Sequence, residues 1–278
     1  MADIFSDLSS LGLGNVEETD IYKKNDLPTS DAKANEKPIQ SIFFDSKIDC
    51  PVCNRPVPFK AVRSGQLKLE RTDTDLRPIY DLFDPSLYDV LVCSNCGYAA
   101  LKRHFSLVSP SKQKLIKEKV SNQFKGKQYS ENISYEEAIE KYKLALYDAV
   151  VMESKDSHKA YLCLKIAWLY RGYLEGLQKD TSTDNDVKIL YLQNSEKIFM
   201  RNVVDGFKMA VEKESFPVME LSEITVRYII GDLYRRLGDF DEALKWIGFV
   251  IVSKDAGNRL KERARECKEL INKRKSAN

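Results

Sequence analysis

Only two histidines occur in the 278 residues, His104 and His158. Neither has a partner constellation around it. His104 follows Cys96 by eight positions and reads as a surface residue. No Ser/His/Asp set, glycine-rich phosphate loop or paired-carboxylate motif stands out, so the chain is not expected to be an enzyme or to take a small-molecule substrate. Long apolar runs are also missing. The longest, Trp246–Val252, is interrupted by Gly248 and falls far short of the roughly 20 residues that cross a bilayer. The opening residues, Met1-Ala2-Asp3-Ile4-Phe5-Ser6-Asp7, carry neither a basic stretch nor a continuous apolar one. No signal peptide is expected, and with no membrane partner the chain reads as soluble and cytoplasmic. Nor is there an excess of one charge: 44 basic against 42 acidic residues leave +2. Overall charge therefore does not call for nucleic acid. An apolar content of 43% with only nine prolines marks a globular chain.

Six cysteines are present, and four fall in two short pairs, Cys50-Pro51-Val52-Cys53 and Cys93-Ser94-Asn95-Cys96-Gly97. Without an export signal, three disulfides are a poor reading. Each pair instead sets two thiols in a tight knuckle, and together they supply the four soft ligands of a closed tetrahedral zinc site. Iron in a rubredoxin-like site is the alternative metal. A redox dithiol needs no matching second pair. With four thiolates in place, no position remains open for catalysis, so the metal is expected to be structural. Cys163 and Cys267 lie in helical patterns and read as buried thiols.

Around these pairs the chain changes character. Residues 1–40 hold eight Asp/Glu against four Lys and few large hydrophobes, which predicts a disordered acidic tail. Residues 41–106 read as a small β domain. Ile42-Phe43-Phe44 leads into the first knuckle, Phe59–Leu69 suggests a further strand, and Tyr88–Val92 feeds the second knuckle. The 39 residues between the pairs are expected to form a small sheet on the metal site. Residues 107–272 turn helical, followed by a basic tail, 273–278. Ser109-Pro110 and the capping box Ser134-x-x-Glu137 open helices. Others are expected over 158–177, over 187–213 and from Pro217. The stretch Tyr228–Ala243 looks like a tetratricopeptide repeat. Gly231 is the small residue at the helix crossing, Gly238 is the stop, and Asp239 caps the next helix. A weaker copy starts at Tyr135. The fold class predicted is α+β, mostly α: a zinc-ribbon domain, then an α-helical repeat body.

The segments Cys50–Cys53, Lys68–Asp75, Asp84–Ala99 and Gly231–Trp246 resemble those of the bacterial domain-of-unknown-function family 2225. The likeness spans roughly residues 45–255. It implies a zinc-ribbon head and a helical-repeat body, and no activity.

Two partner classes follow from the residues. In a tetratricopeptide helix pair, the groove-facing stripe of the first helix is Thr225, Tyr228, Asp232 and Arg235, a mixed face suited to a peptide. A protein partner or scaffold role is the preferred reading. The alternative is nucleic acid, on the stripe Lys102, Arg103, Lys112, Lys114, Lys117 and Lys119. Residues 102–127 hold eight Lys/Arg against the single Glu118. The segment 259–275 adds eight Lys/Arg against three Glu.

Overall fold

The computed structural model describes residues 42–276 apart from Ser64, Leu107 and 180–185, together with Ser10 and Gly12. The expected acidic tail lies outside the described residues but for those last two. In chain order the elements are β1 (Phe43–Asp49), β2 (Pro56–Val62), β3 (Leu69–Thr72), β4 (Pro78–Tyr80), β5 (Val90–Val92) and β6 (Ala99–Leu101). The helices are α1 (Pro110–Ile116), α2 (Tyr135–Val151), α3 (Asp156–Lys179), α4 (Asp186–Lys213), α5 (Glu223–Leu237), α6 (Phe240–Val252) and α7 (Asn258–Lys275). The class is α+β, mostly α. No helix among the described residues is long and apolar enough to cross a membrane.

Two compact units share the chain, and neither is continuous in sequence. The first takes the residues up to Lys68, Tyr80–Ser154 and Lys165–Glu196. The second takes Leu69–Ile79, Lys155–Leu164 and everything from Lys197. The division expected near residue 106 is therefore not where the compact units part.

In the first unit, β1 and β2 form an antiparallel hairpin from Phe43↔Val62 to Asp49↔Pro56. A shorter hairpin, β5–β6, pairs Val90 with Leu101 and Val92 with Ala99. Phe43, Phe83 and Tyr88 cluster with ring centroids 4.7–5.9 Å apart. The capping box forms as expected. Ser134 Oγ accepts the Glu137 N–H at 3.1 Å, and the Glu137 carboxylate accepts the Ser134 N–H at 3.2 Å. The helix it opens, α2, packs on β5 and β6.

One contact in that packing is ionisable. The carboxylate of Asp148, fully buried on α2, accepts the Ala99 N–H of β6 at 2.6 Å. Burial raises this carboxyl well above the usual carboxylate range, with the Ala99 N–H opposing. A folded value above the unfolded one favours folding most below the unfolded pKa of about 4, and the benefit fades as pH rises through the folded value. Asp148→Asn keeps an acceptor for Ala99 but does not ionise. Its stability relative to wild type is expected to grow as pH rises above about 4. Urea midpoints across that range check this, and parallel curves would show that Asp148 does not ionise against its burial.

In the second unit, α5, α6 and α7 bury Ile224, Tyr228, Ala243, Ile247, Val250, Cys267 and Ile271 between them. Gly238 ends α5 in the left-handed conformation at φ 89°, and Asp239 accepts the Glu242 N–H to cap α6. At Gly231 a Cβ would stand 2.8 Å from the Ile247 side chain, so only glycine lets α5 and α6 approach this closely. Pro217 does not open α5. It follows a cis peptide bond in a turn closed by Val218 and Leu221, and the helix begins at Glu223 because Ser222 supplies the cap. The expected strand Phe59–Leu69 divides likewise. Its first half is in β2, while Leu69 begins β3 of a separate hairpin, β3–β4. That hairpin's residues Leu69–Ile79 belong to the second unit.

Candidate metal centre

Each knuckle sits at the tip of a hairpin, and the two tips share one backbone geometry. The Cys50 N–H donates to the Arg55 carbonyl at 2.9 Å, and the Asn54 N–H returns to the Cys50 carbonyl at 2.8 Å. In the second knuckle the Cys93 N–H donates to the Tyr98 carbonyl at 2.8 Å, and the Gly97 N–H returns to the Cys93 carbonyl at 2.9 Å. Both turns need a left-handed residue four places after the first cysteine. Asn54 at φ 57° and Gly97 at φ 77° supply it. Asparagine tolerates that region better than most residues, which is why the first knuckle closes without glycine. Gly97 has a second constraint: a Cβ there would lie 2.7 Å from the Phe124 ring.

The hairpins bring the four sulfurs together. Cys50 and Cys96 Sγ are 3.5 Å apart, as are those of Cys53 and Cys93, and all four lie within 4.8 Å of one another. A tetrahedron with metal–sulfur bonds of about 2.3 Å has edges of about 3.8 Å. The cluster brackets that spacing and is far wider than the roughly 2.05 Å of a disulfide. All four are free thiols, with Cys50, Cys93 and Cys96 buried and Cys53 half-buried. Taken as thiols alone, they cannot all ionise. Hydrogen bonds from Cys50 and Cys96 lower Cys93 to about 2. The same contacts, led by Cys93 at Cys50 and by Cys50 at Cys96, raise Cys50 to about 12 and push Cys96 up as well. A divalent cation removes that conflict, since it stabilises every thiolate at once. The donor set therefore fits a soft tetrahedral metal, and four sulfurs suit zinc and iron alike. His104 is not among the clustered ligands.

The other expected residues fare differently. Tyr228, Asp232 and Arg235 do share a face of α5, but they are buried, and Thr225 is half-buried. That face is covered by the chain's own residues 73–77. Tyr228 donates to the Thr74 carbonyl at 2.7 Å, and Arg235 and Arg236 donate to the Thr74 hydroxyl at 2.9 and 2.8 Å. Thr74 in turn donates to Asp232 at 2.8 Å. Asp232, wholly buried, also accepts from Arg235 at 2.7 Å and Arg236 at 3.0 Å. Arg263 of α7 holds the Asp73 carbonyl at 3.1 Å, and Arg77 binds the Asp73 carboxylate at 2.8 Å. The stripe is thus an internal seam and offers no open peptide groove. Cys267 joins it, 3.3 Å from Asp232, so this thiol is buried as expected but lies against a carboxylate.

The basic stripe also divides. Lys102 and Lys112 are buried and Arg103 is half-buried, while Lys114, Lys117 and Lys119 are exposed. Sequence reading missed Thr74, Asp75, Arg236 and Arg263 of the seam, as well as the buried Lys141. Asp73-Thr74-Asp75 reads locally as turn chemistry, and only its place among the resembling segments marked it.

Comparison with known proteins agrees with the extent of this architecture. The model of a family described as an uncharacterized protein conserved in bacteria (DUF2225) matches residues 43–271. An uncharacterized protein of Borreliella burgdorferi is 24% identical over 192 residues, which cover 63% of this chain and 65% of that relative. The chain thus spans just under two thirds of that relative's length. No solved structure matches.

Proposed function

The chain belongs to this DUF2225 family of bacterial proteins, and we propose that Cys50, Cys53, Cys93 and Cys96 hold one structural zinc ion in a non-catalytic protein-interaction or scaffold protein. The observation that carries the reading is the closed set of four sulfurs within 4.8 Å, presented by two equivalent hairpin tips. Such a set saturates zinc and leaves it no position for water or substrate. The paired hairpins suit a zinc ribbon, and the α5–α6 pair crossing at Gly231 suits a tetratricopeptide-like body.

With the α5 stripe filled from within, the partner-facing surface moves to α6. Phe249 and Val252 are 46% and 78% exposed there. The Arg227 guanidinium lies over the Phe249 ring at 4.3 Å and the Trp246 ring at 5.6 Å. Aromatic and arginine side chains together are the usual anchors of protein interfaces. Nucleic acid, the other partner class, retains Lys114, Lys117 and Lys119 as exposed cations.

Elemental analysis of the purified protein tests the metal, with one zinc per chain expected. Iron in its place would change the metal, and neither would sink the assignment. For the partner, tagged wild type and a Phe249→Ser/Val252→Ser variant are used to capture partners from the native bacterium, with and without nuclease. A protein retained after nuclease by wild type and lost by the variant supports the α6 face. Loss of everything on nuclease treatment, with nucleic acid recovered from the untreated half, favours the lysines.

A further inference from the structure

A cavity of about 230 Å³ opens in the first unit, lined from β2, the second knuckle, the segment before α2, and α2 itself. Its walls include Phe59, Lys60, Ser94, Lys127, Tyr129 and Lys141. Two of the lysines have carboxylate partners. Lys60 pairs with Glu131 at 2.8 Å and Asp45 at 3.8 Å, and Lys127 with Glu140 at 2.6 Å.

Lys141 is different. It is only 8% exposed and makes no hydrogen bond or ion pair among the described residues. Lys165, equally buried at 8%, reaches Ser86 at 3.3 Å and Asp89 at 3.5 Å. What Lys141 has is the Tyr129 ring, 5.6 Å from its ammonium, and the Lys127 ammonium shares that ring at 5.3 Å. Burial pushes Lys141 down to about 8, with Glu137 and Asp89 opposing and the positive charge of Lys102 adding to the effect. At neutral pH it is therefore still largely a cation. An ammonium this deeply buried and without an ion-pair partner destabilises a fold, and natural chains keep such costs chiefly where a function needs them. A phosphate oxygen is a suitable partner for a lysine point charge among further lysines.

We propose that this cavity binds a small phosphate monoester, with its phosphate on Lys141 and its organic part against Phe59 and Tyr129. The volume lies just below the usual range for ligand pockets, which favours a compact metabolite. The proposal does not depend on which metal the cysteines hold.

The test is thermal unfolding of the purified full-length chain at fixed ionic strength with phenyl phosphate, inorganic phosphate or benzoate. Phenyl phosphate at about 10 mM is expected to raise the wild-type Tm by a few °C, as ligand binding to the native state alone requires. Inorganic phosphate should raise it less, and benzoate least. Lys141→Met should itself melt a few °C above wild type and show no shift with phenyl phosphate. Lys141→Gln, which stays polar without the charge, gives the same reading if the methionine variant does not fold. Exposed Lys197→Met should respond as wild type does. The proposal is overturned if phenyl phosphate leaves wild type unmoved, or if the Lys141 variants shift as much as wild type. Benzoate matching phenyl phosphate would equally overturn it, by making the ligand a carboxylate.

Discussion

If the four cysteines hold zinc as proposed, replacing Cys96 with serine, or stripping the metal with a chelator, is expected to unfold both hairpin tips, a loss on the order of 10 kcal/mol. Whole domains have stabilities of only about 5–15 kcal/mol, so a metal held by the four cysteines would decide whether this part of the chain is folded at all. The hairpins explain the dependence. β5 and β6 are three residues each and β1–β2 is a single two-stranded ribbon, and such ribbons are marginal without a staple. Hydrogen exchange read along the chain checks the result. Protection should vanish over β1, β2, β5 and β6 on chelation and return when zinc is added back. Cys163→Ala serves as the control, because that thiol is buried in α3, is not among the four clustered cysteines, and should cost only about 1 kcal/mol. Full protection after complete metal removal would show that the cluster is incidental to the fold. Protons compete with the metal for the thiolates, so acid should mimic the chelator.

Asp232→Ala is expected to destabilise the second unit by about 3–5 kcal/mol. The carboxylate is wholly buried and compensates two guanidinium groups, Arg235 and Arg236, which the substitution would leave facing one another. Arg236 keeps only Asp75 at 3.5 Å as a carboxylate partner. Thr74→Val, which removes the hydroxyl that donates to Asp232 and accepts from both arginines, should cost about 1–3 kcal/mol. Because the two residues belong to one hydrogen-bonded group, the double variant should lose less than the sum. Urea denaturation of the four proteins measures all three quantities. An Asp232→Ala midpoint indistinguishable from wild type would mean that the seam does not hold residues 73–77 in place.

The features legible in the sequence were those written in neighbouring residues. The cysteine pairs, the Ser134 capping box and the Gly238-Asp239 junction each need only a few consecutive positions, and each is found where its residues stand. Thr225, Tyr228, Asp232 and Arg235 are expected to line a groove, and helical spacing fixes only that such residues share a face of α5. Spacing carries no record of what covers that face, and here the cover comes from residues about 150 positions earlier. The lysines show the same limit. Lys102, Lys112 and Lys141 look like any solvated charge in the sequence, yet the fold buries all three. Pro217 misled for a local reason: proline suits a first helical turn and an ordinary turn equally, and Ser222 decided between them.

The clasp between Arg263 and Asp73 joins residues 190 positions apart. A ribosome adding about 5–20 residues each second needs about 10–40 s to cover that distance. Until Tyr228 is made, 154 positions after Thr74, the nascent β3–β4 hairpin has none of the partners that α5 and α7 will give it. Asp73, Thr74 and Asp75 suit the wait, since short polar side chains stay hydrated and give a half-made chain nothing sticky to present.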